Sequence, residues 1–406
     1  MNRLIHTPEG VRDYYNLDCA EKLEIGSRLD RVIKSYGYHF IQTPTFEYFD
    51  IFAKERGSAS SREMFKFFDH NNDTLVLRPD ITPSVARAVA KYYEDEDMPI
   101  RLAYHGNTYF NSQHYRGHMT EMTNVGCELF NDETTDADAE MIAMVIACLK
   151  AAGLSEFQVE LGNIEFFLGL VEEAGLNTED AADLRVLISN KNYSAISRLL
   201  DEHKINEELK KTFLMLPKLY GSLADIEKIA DTTSNERSLA AVDRLRKVYQ
   251  LLDYYGLQQY VTFDLGNVGN FKYYTGITFE AFTYGTGEEI VTGGRYDRLV
   301  KQYGKDCPAV GFAIKLDVLL LALARQGIRV RTDIDVVMVL YDRQNKEKAV
   351  ALADRLRGEG KRVQLMKKYL EKNMADYIAY AKREYCTCIY FVDAEGNVSE
   401  TEVKIV

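Results

Sequence analysis

The sequence predicts an α+β protein: a mixed, mainly antiparallel sheet with helices packed on it, followed by a small α/β tail. Three observations carry this reading. Strand-like stretches recur between residues 66 and 161, with helices among them, and return over 261–292. Between them, about 163–258 is helical and charge-rich, which reads as an insertion. From about 332 the pattern alternates βαβαβ, the mark of a separate unit. The expected organisation is therefore 1–330, with its insertion, followed by 331–406.

Taken in order, residues 15–36 read as an amphipathic helix with Leu23, Leu29, Val32 and Ile33 on its apolar side, ended by Gly37-Tyr38. Residues 40–44 are extended, and Pro44, with no N–H to donate, rules out a continuous central strand there. Residues 66–69 and 74–78 form a hairpin around Asn71-Asn72-Asp73. A helix follows over 84–93, with Thr82 as a natural N-cap and Pro83 suited to its first turn. Residues 100–110 and 122–130 read as strands, 136–152 as a helix with a short apolar face, and 157–161 as a strand. The β-rich pattern of 261–292 closes on a helix over 316–325. In the tail, strands are expected at 335–341, 362–366 and 387–392, and helices at 346–357 and 374–384.

The formal charge of −12 disfavours tight non-specific nucleic-acid binding, because an acidic surface repels phosphate. Apolar runs such as 318–324 are far shorter than the roughly 20 residues of a membrane span. The first residues hold no apolar core of signal-peptide length, so a cytoplasmic protein is expected. Of the six cysteines only Cys386 and Cys388 are close, on one face of an expected strand. No second pair completes a zinc site, so buried reduced thiols are expected.

Catalytic motifs are largely missing. There is no Walker loop, no His-Glu-x-x-His and no Gly-x-Ser-x-Gly. Gly285-Thr286-Gly287 lacks a third glycine and reads as a hairpin turn. Asp231-Thr232-Thr233-Ser234 resembles part of a phosphoribosyl-diphosphate loop but lies in helical surroundings, where a helix N-cap accounts for it. Neither a cofactor nor a metal is expected.

Three segments are informative. They are Leu77-Arg78-Pro79-Asp80-Ile81-Thr82-Pro83; Tyr104 to Phe110 with Asn124-Val125-Gly126-Cys127-Glu128-Leu129-Phe130; and Tyr273-Tyr274-Thr275-Gly276 with Gly293-Gly294-Arg295-Tyr296-Asp297 and Pro308 to Phe312. Their order and spacing resemble the histidyl-tRNA synthetase catalytic domain, as do Pro8 to Asp13 and the stretch from Gly37 to Glu47. The resemblance implies a class II aminoacyl-tRNA synthetase-like antiparallel sheet.

The adenylation arginines of that family have no counterparts here. Phe110, His118 and Gly269 stand where three are expected, and Lys315-Leu316-Asp317-Val318 replaces Gly-Leu-Glu-Arg. Losing one such donor costs about 10²–10³ in rate. What remains resembles the synthetase paralogues that serve as regulatory subunits of ATP phosphoribosyltransferase. That resemblance implies a short-form ATP phosphoribosyltransferase catalytic subunit as partner and histidine as feedback effector. It also implies a homodimer, built on the segment around 40–47, within a hetero-oligomer. The alternatives are a divergent histidyl-tRNA synthetase using Arg116, His118 or Lys315, and a stand-alone histidine-binding module.

By the same resemblance, Asp80 and Thr82 would contact the α-amino group of histidine; the competing reading is that both only cap the following helix. Glu128, a lone carboxylate among apolar neighbours, needs a partner or a ligand. Asn124 takes the place of a glutamine that reads the amino acid. Tyr273 and Tyr274 would point to opposite faces of a strand, one into the core and one into the pocket. Gly293, Gly294 and Arg295 are placed at a strand-to-helix turn, where glycines let another backbone approach. The tail resembles a worn anticodon-binding domain. Its near-neutral charge gives no footprint for tRNA, and a subunit contact or spacer role is expected.

Overall fold

The computed structural model describes residues 3–53, 59–111, 119–268, 273–332 and 336–404. Arg116, His118 and Gly269, named above, lie outside them. The chain forms two compact units, one of residues 1–13 and 25–330, the other of residues 14–24 and 331–406.

The first strands and helices of the chain are α1 (Asn16–Ser35), β1 (His39–Phe40), β2 (Phe46–Tyr48), β3 (Lys66–Phe68), β4 (Thr74–Leu77), α2 (Thr82–Tyr92), β5 (Ile100–Tyr109) and β6 (Glu121–Phe130). Next come α3 (Thr135–Ala152), β7 (Gln158–Asn163) and five helices: α4 (Ile164–Glu173), α5 (Thr178–Ser189), α6 (Tyr193–Glu202), α7 (Glu207–Met215) and, after β8 (Tyr220–Gly221), α8 (Leu223–Ala230). The unit finishes with α9 (Glu236–Tyr254), β9 (Val261–Asp264), β10 (Ile277–Phe282), β11 (Val291–Arg295), β12 (Ala309–Lys315) and α10 (Leu316–Arg325).

Nine strands make one sheet in the order β1-β5-β6-β12-β11-β10-β7-β9-β8. From β5 to β7 every pairing is antiparallel; only β1 with β5 and β7 with β9 run parallel. Strands β2, β4 and β3 form a separate small sheet, so the chain around Pro44 does leave the main one.

Strand alternation gives the main sheet two unlike faces. On β6, Val125, Cys127 and Leu129 are buried in a large apolar core with Ile25, Leu29 and Ile33 of α1 and with α3. Helix α3 is buried nearly all round, not along the short face expected, because α9 packs on the side away from the sheet. Leu23, expected on the apolar side of α1, is 68% exposed. The opposite sheet face carries Asn124, Gly126, Glu128 and Phe130, roofed in part by α2.

The second unit carries β13 (Val336–Tyr341), α11 (Lys346–Gly358), β14 (Arg362–Lys367), α12 (Met374–Arg383), β15 (Cys386–Val392) and β16 (Val398–Glu402). The sheet order is β14-β13-β15-β16, parallel except for β16, a strand the sequence reading missed. Cys386 and Cys388 were expected on one face, yet they lie in different apolar clusters on opposite faces. The cause is a register shift between Val336 and Val337, which inserts Thr387 as a bulge. All six cysteines are free thiols.

Candidate functional site

The polar face of the sheet is floored by glycines. Gly126 lies two residues from Glu128 on β6, Gly311 pairs with Glu128 from β12, and Gly294 lies one strand further along. A Cβ on Gly311 would fall on the Glu128 carboxylate, and one on Gly126 would fall on the Tyr104 ring tip. These glycines keep the floor low enough for the acid and phenol to fit.

Glu128 is 1% exposed. Its Oε1 accepts a hydrogen bond from Thr82 Oγ1 at 2.6 Å, and its Oε2 accepts from Tyr296 OH at 2.5 Å. Burial pushes the carboxyl up to about 8, although these hydroxyl bonds favour its charged form. Near neutral pH this buried acid is therefore largely neutral.

Asp80 and Thr82 flank the same acid. Asp80 Oδ1 accepts from Thr82 N at 3.1 Å, and Asp80 Oδ2 accepts from Tyr273 OH at 3.0 Å. The N-cap position of α2 is Ile81, and it makes no side-chain cap. Capping by Thr82 is thus overturned: its hydroxyl is turned to Glu128, and Asp80 supplies the acceptor for the first helix N–H.

Tyr273 and Tyr274 are not in a strand, so they do not divide between two faces. Their rings meet edge to face at 5.1 Å, and Tyr273 meets Tyr296 the same way at 5.7 Å. Tyr274 lies against Gly294, where a Cβ would crowd its ring. Asp80, Thr82, Glu128, Tyr273 and Tyr274 therefore gather at one place. Asn124 shares the face but is four residues along β6 from Glu128, and its Nδ2 donates to Thr108 Oγ1 at 2.8 Å.

Two tyrosines of the pocket, Tyr104 and Tyr296, went unselected by sequence reasoning although both lie in the quoted motifs. For Tyr104 the signal was available: it shares the strand face of its cross-strand partner Gly126, and hence of Glu128. Gly293, Gly294 and Arg295 lie within β11 and not at a strand-to-helix turn. Gly293 makes room for the Phe279 ring. Arg295 is 2% exposed and is spent on Asp138 and Asp297. Asn235, and not Asp231 to Ser234, caps α9.

The positions of the missing arginines are informative where described. Val318 is 4% exposed in the large apolar core. Lys315 Nζ is held by Glu289, with Glu288 at 3.7 Å. Beyond it, Glu280 and Glu160 face each other across β10 and β7. Burial pushes both carboxyls up to about 7, and Glu289 adds to the shift of Glu280. Because the folded values lie above the ordinary 4.5, this pair stabilises most at acid pH and loses that contribution as pH rises through about 7. Glu280→Gln is expected to leave stability near pH 5 unchanged and to raise it near pH 8.5 by on the order of 1 kcal/mol. Urea unfolding at the two pH values checks this; an equal effect at both would remove the carboxyl pair as its cause.

Among the described residues, no group of three or more His, Cys, Asp or Glu is arranged to hold a metal ion. No described helix is long and apolar enough to cross a membrane.

Comparison with known proteins agrees with this architecture. The histidyl-tRNA synthetase family model matches residues 10–319. An ATP phosphoribosyltransferase regulatory subunit of Acetivibrio thermocellus is 40% identical over 361 residues, covering 89% of this chain and 86% of its own length. Its counterpart from Ruminiclostridium cellulolyticum is 36% identical over 405 residues, covering 98% and 96%. A solved structure, the ATP phosphoribosyltransferase regulatory subunit/histidyl-tRNA synthetase from Bacillus halodurans C, matches with a TM-score of 0.84 at 30% identity, covering 96% of this chain and 97% of that one. With a synthetase-like sheet and near full-length relatives of one kind, the chain belongs to the ATP phosphoribosyltransferase regulatory subunits, a branch of the histidyl-tRNA synthetase family.

Proposed function

We propose that this chain is a non-catalytic subunit that a short-form ATP phosphoribosyltransferase catalytic subunit needs for activity in the first step of histidine biosynthesis. Histidine bound in the Glu128 pocket carries feedback inhibition. The complex is a cytoplasmic hetero-oligomer containing a homodimer of this chain. The observation that carries the reading is a contrast within one sheet. The amino-acid end keeps a buried acid with three converging tyrosines, while Val318, where an arginine is expected, is buried among apolar side chains. Lys315 offers no replacement, since its charge is taken up by Glu289 and Glu288. Adenylation needs cations at the α-phosphate, whereas holding an amino acid needs the acid and hydroxyl groups that remain.

Histidine would place its α-ammonium against Asp80 and Glu128, with Thr82, Tyr273 and Tyr274 completing the pocket. Asn124 is the more distant contact. Allosteric coupling of typical size, about 1–3 kcal/mol, would change the partner's substrate affinity by roughly 5–150-fold.

The test is phosphoribosyl-ATP formation by the short catalytic subunit of the same organism, with and without this chain, followed by histidine titration. Activity that requires both chains and falls with histidine is the expected result. Histidine-dependent exchange of pyrophosphate into ATP by this chain alone would overturn the non-catalytic reading and favour a divergent synthetase.

A further inference from the structure

A second cavity, of about 220 Å³, lies on the same sheet face around Arg78, with Gln42, Thr45, Tyr104 and Tyr109 on its walls. Arg78 is 6% exposed. Its Nε donates to Asn107 O at 2.8 Å; its Nη1 donates to Thr43 O at 2.9 Å, Thr43 Oγ1 at 3.1 Å and Pro44 O at 3.2 Å. Those bonds tie the segment around Pro44 to β5. They leave Nη2 with no hydrogen bond among the described residues, pointing across Gly106, where a Cβ would collide with it.

No carboxylate of a described residue forms an ion pair with Arg78. Glu47 acts on it electrostatically but is committed to Arg87 at 2.8 Å. A guanidinium cannot shed its charge. A buried cation with only carbonyl and hydroxyl partners is costly, and an anion arriving at its open nitrogen relieves that cost.

We propose that this cavity is a binding site for a small carboxylate, held by Arg78 Nη2 and the hydroxyls of its rim. The choice of carboxylate rests on charge: one guanidinium balances a monoanion, whereas a phosphate dianion would bring a second negative charge to a chain of net charge −12. The site adjoins the Glu128 pocket, with Tyr104 between them, but it rests on Arg78 and not on the histidine reading. Gly106 pairs with Asn124, and Leu102 pairs with Glu128. Four residues of strand, roughly 13 Å, separate Gly106 from Leu102.

Replacing Arg78 itself would break its clamp on Thr43 and Pro44, so the test uses other wall residues. Thermal unfolding of the full chain is followed in sodium acetate, chloride and phosphate matched for ionic strength. Acetate is expected to raise the melting temperature above that in chloride, saturating in the millimolar range, with phosphate behaving like chloride. Gln42→Glu and Thr45→Asp each place a tethered carboxylate at the cavity. Both are expected to weaken the acetate effect about tenfold or more, the size of one charge-assisted hydrogen bond. A generic salt effect would persist in both variants and overturn the proposal, as would a phosphate effect exceeding that of acetate.

Discussion

Replacing Asp138 with alanine is expected to lower the unfolding free energy of the larger unit by about 3–5 kcal/mol, the usual result of breaking a buried ion pair from one side. Asp138 is 0% exposed in the first turn of α3. Its Oδ1 accepts from Arg295 Nε at 2.9 Å and Nη2 at 2.7 Å, while its Oδ2 accepts from Arg244 Nε at 2.7 Å. Arg295 also donates to Asp132 O and to Asp297 Oδ1, and the latter accepts from Ala309 N. The Asp138 carboxylate thus joins α3, α9 and β11, and Asp297 extends the network to the start of β12. Without it Arg295 stays buried with only the half-exposed Asp297 as counter-charge.

Arg244 is more exposed and can turn to water. The double variant Asp138→Leu with Arg295→Met is accordingly expected to recover much of the loss, since matched apolar residues remove the buried charge as well as its partner. Urea unfolding of the single and double variants gives the coupling directly. A loss below about 1 kcal/mol in Asp138→Ala would mean that Arg295 reaches solvent, contrary to the burial described.

The periodicities placed most strands and helices because they depend on neighbours in sequence. The expected strand over 122–130 lies within β6, and the expected helix over 316–325 coincides with α10. What the sequence withheld depends on distant partners. Asp138 meets an arginine 157 positions away, so nothing local marks it as different from Asp136. Thr82 looked like a helix cap because that role needs only local residues; its actual partner is 46 positions on. The bulge at Thr387 comes from the pairing of β13 with β15, and no property of Cys386 or Cys388 alone reveals it. At the site, the motif residues were legible as a group. The convergence of Tyr104, Tyr273 and Tyr296 was not, because the Tyr273-Tyr274 pair leaves the strand geometry that alternation assumes.

Histidine binding should release a proton from Glu128. Burial holds this carboxyl at about 8, so near pH 7 it is mostly neutral. A bound ammonium or imidazolium favours the carboxylate and lowers that value, which couples binding to proton loss. Calorimetric titration near pH 7 in buffers of different ionisation enthalpy is expected to show release approaching about one proton per site. Glu128→Gln removes the titration along with the charge. Its affinity for histidine should fall about 10–100-fold, the range for a hydrogen bond to a charged group. The effect on stability has the opposite sign. A folded value above the ordinary 4.5 means that the unliganded protein gains stability from neutral Glu128 at acid pH and loses it as pH rises through about 8. The amide of Glu128→Gln mimics the neutral acid at every pH, so the unliganded variant should match the parent near pH 5 and exceed it near pH 8.5, by on the order of 3 kcal/mol. A variant that binds histidine weakly yet unfolds later at alkaline pH would separate loss of a ligand contact from damage to the fold. Undiminished binding in Glu128→Gln would move histidine out of this pocket.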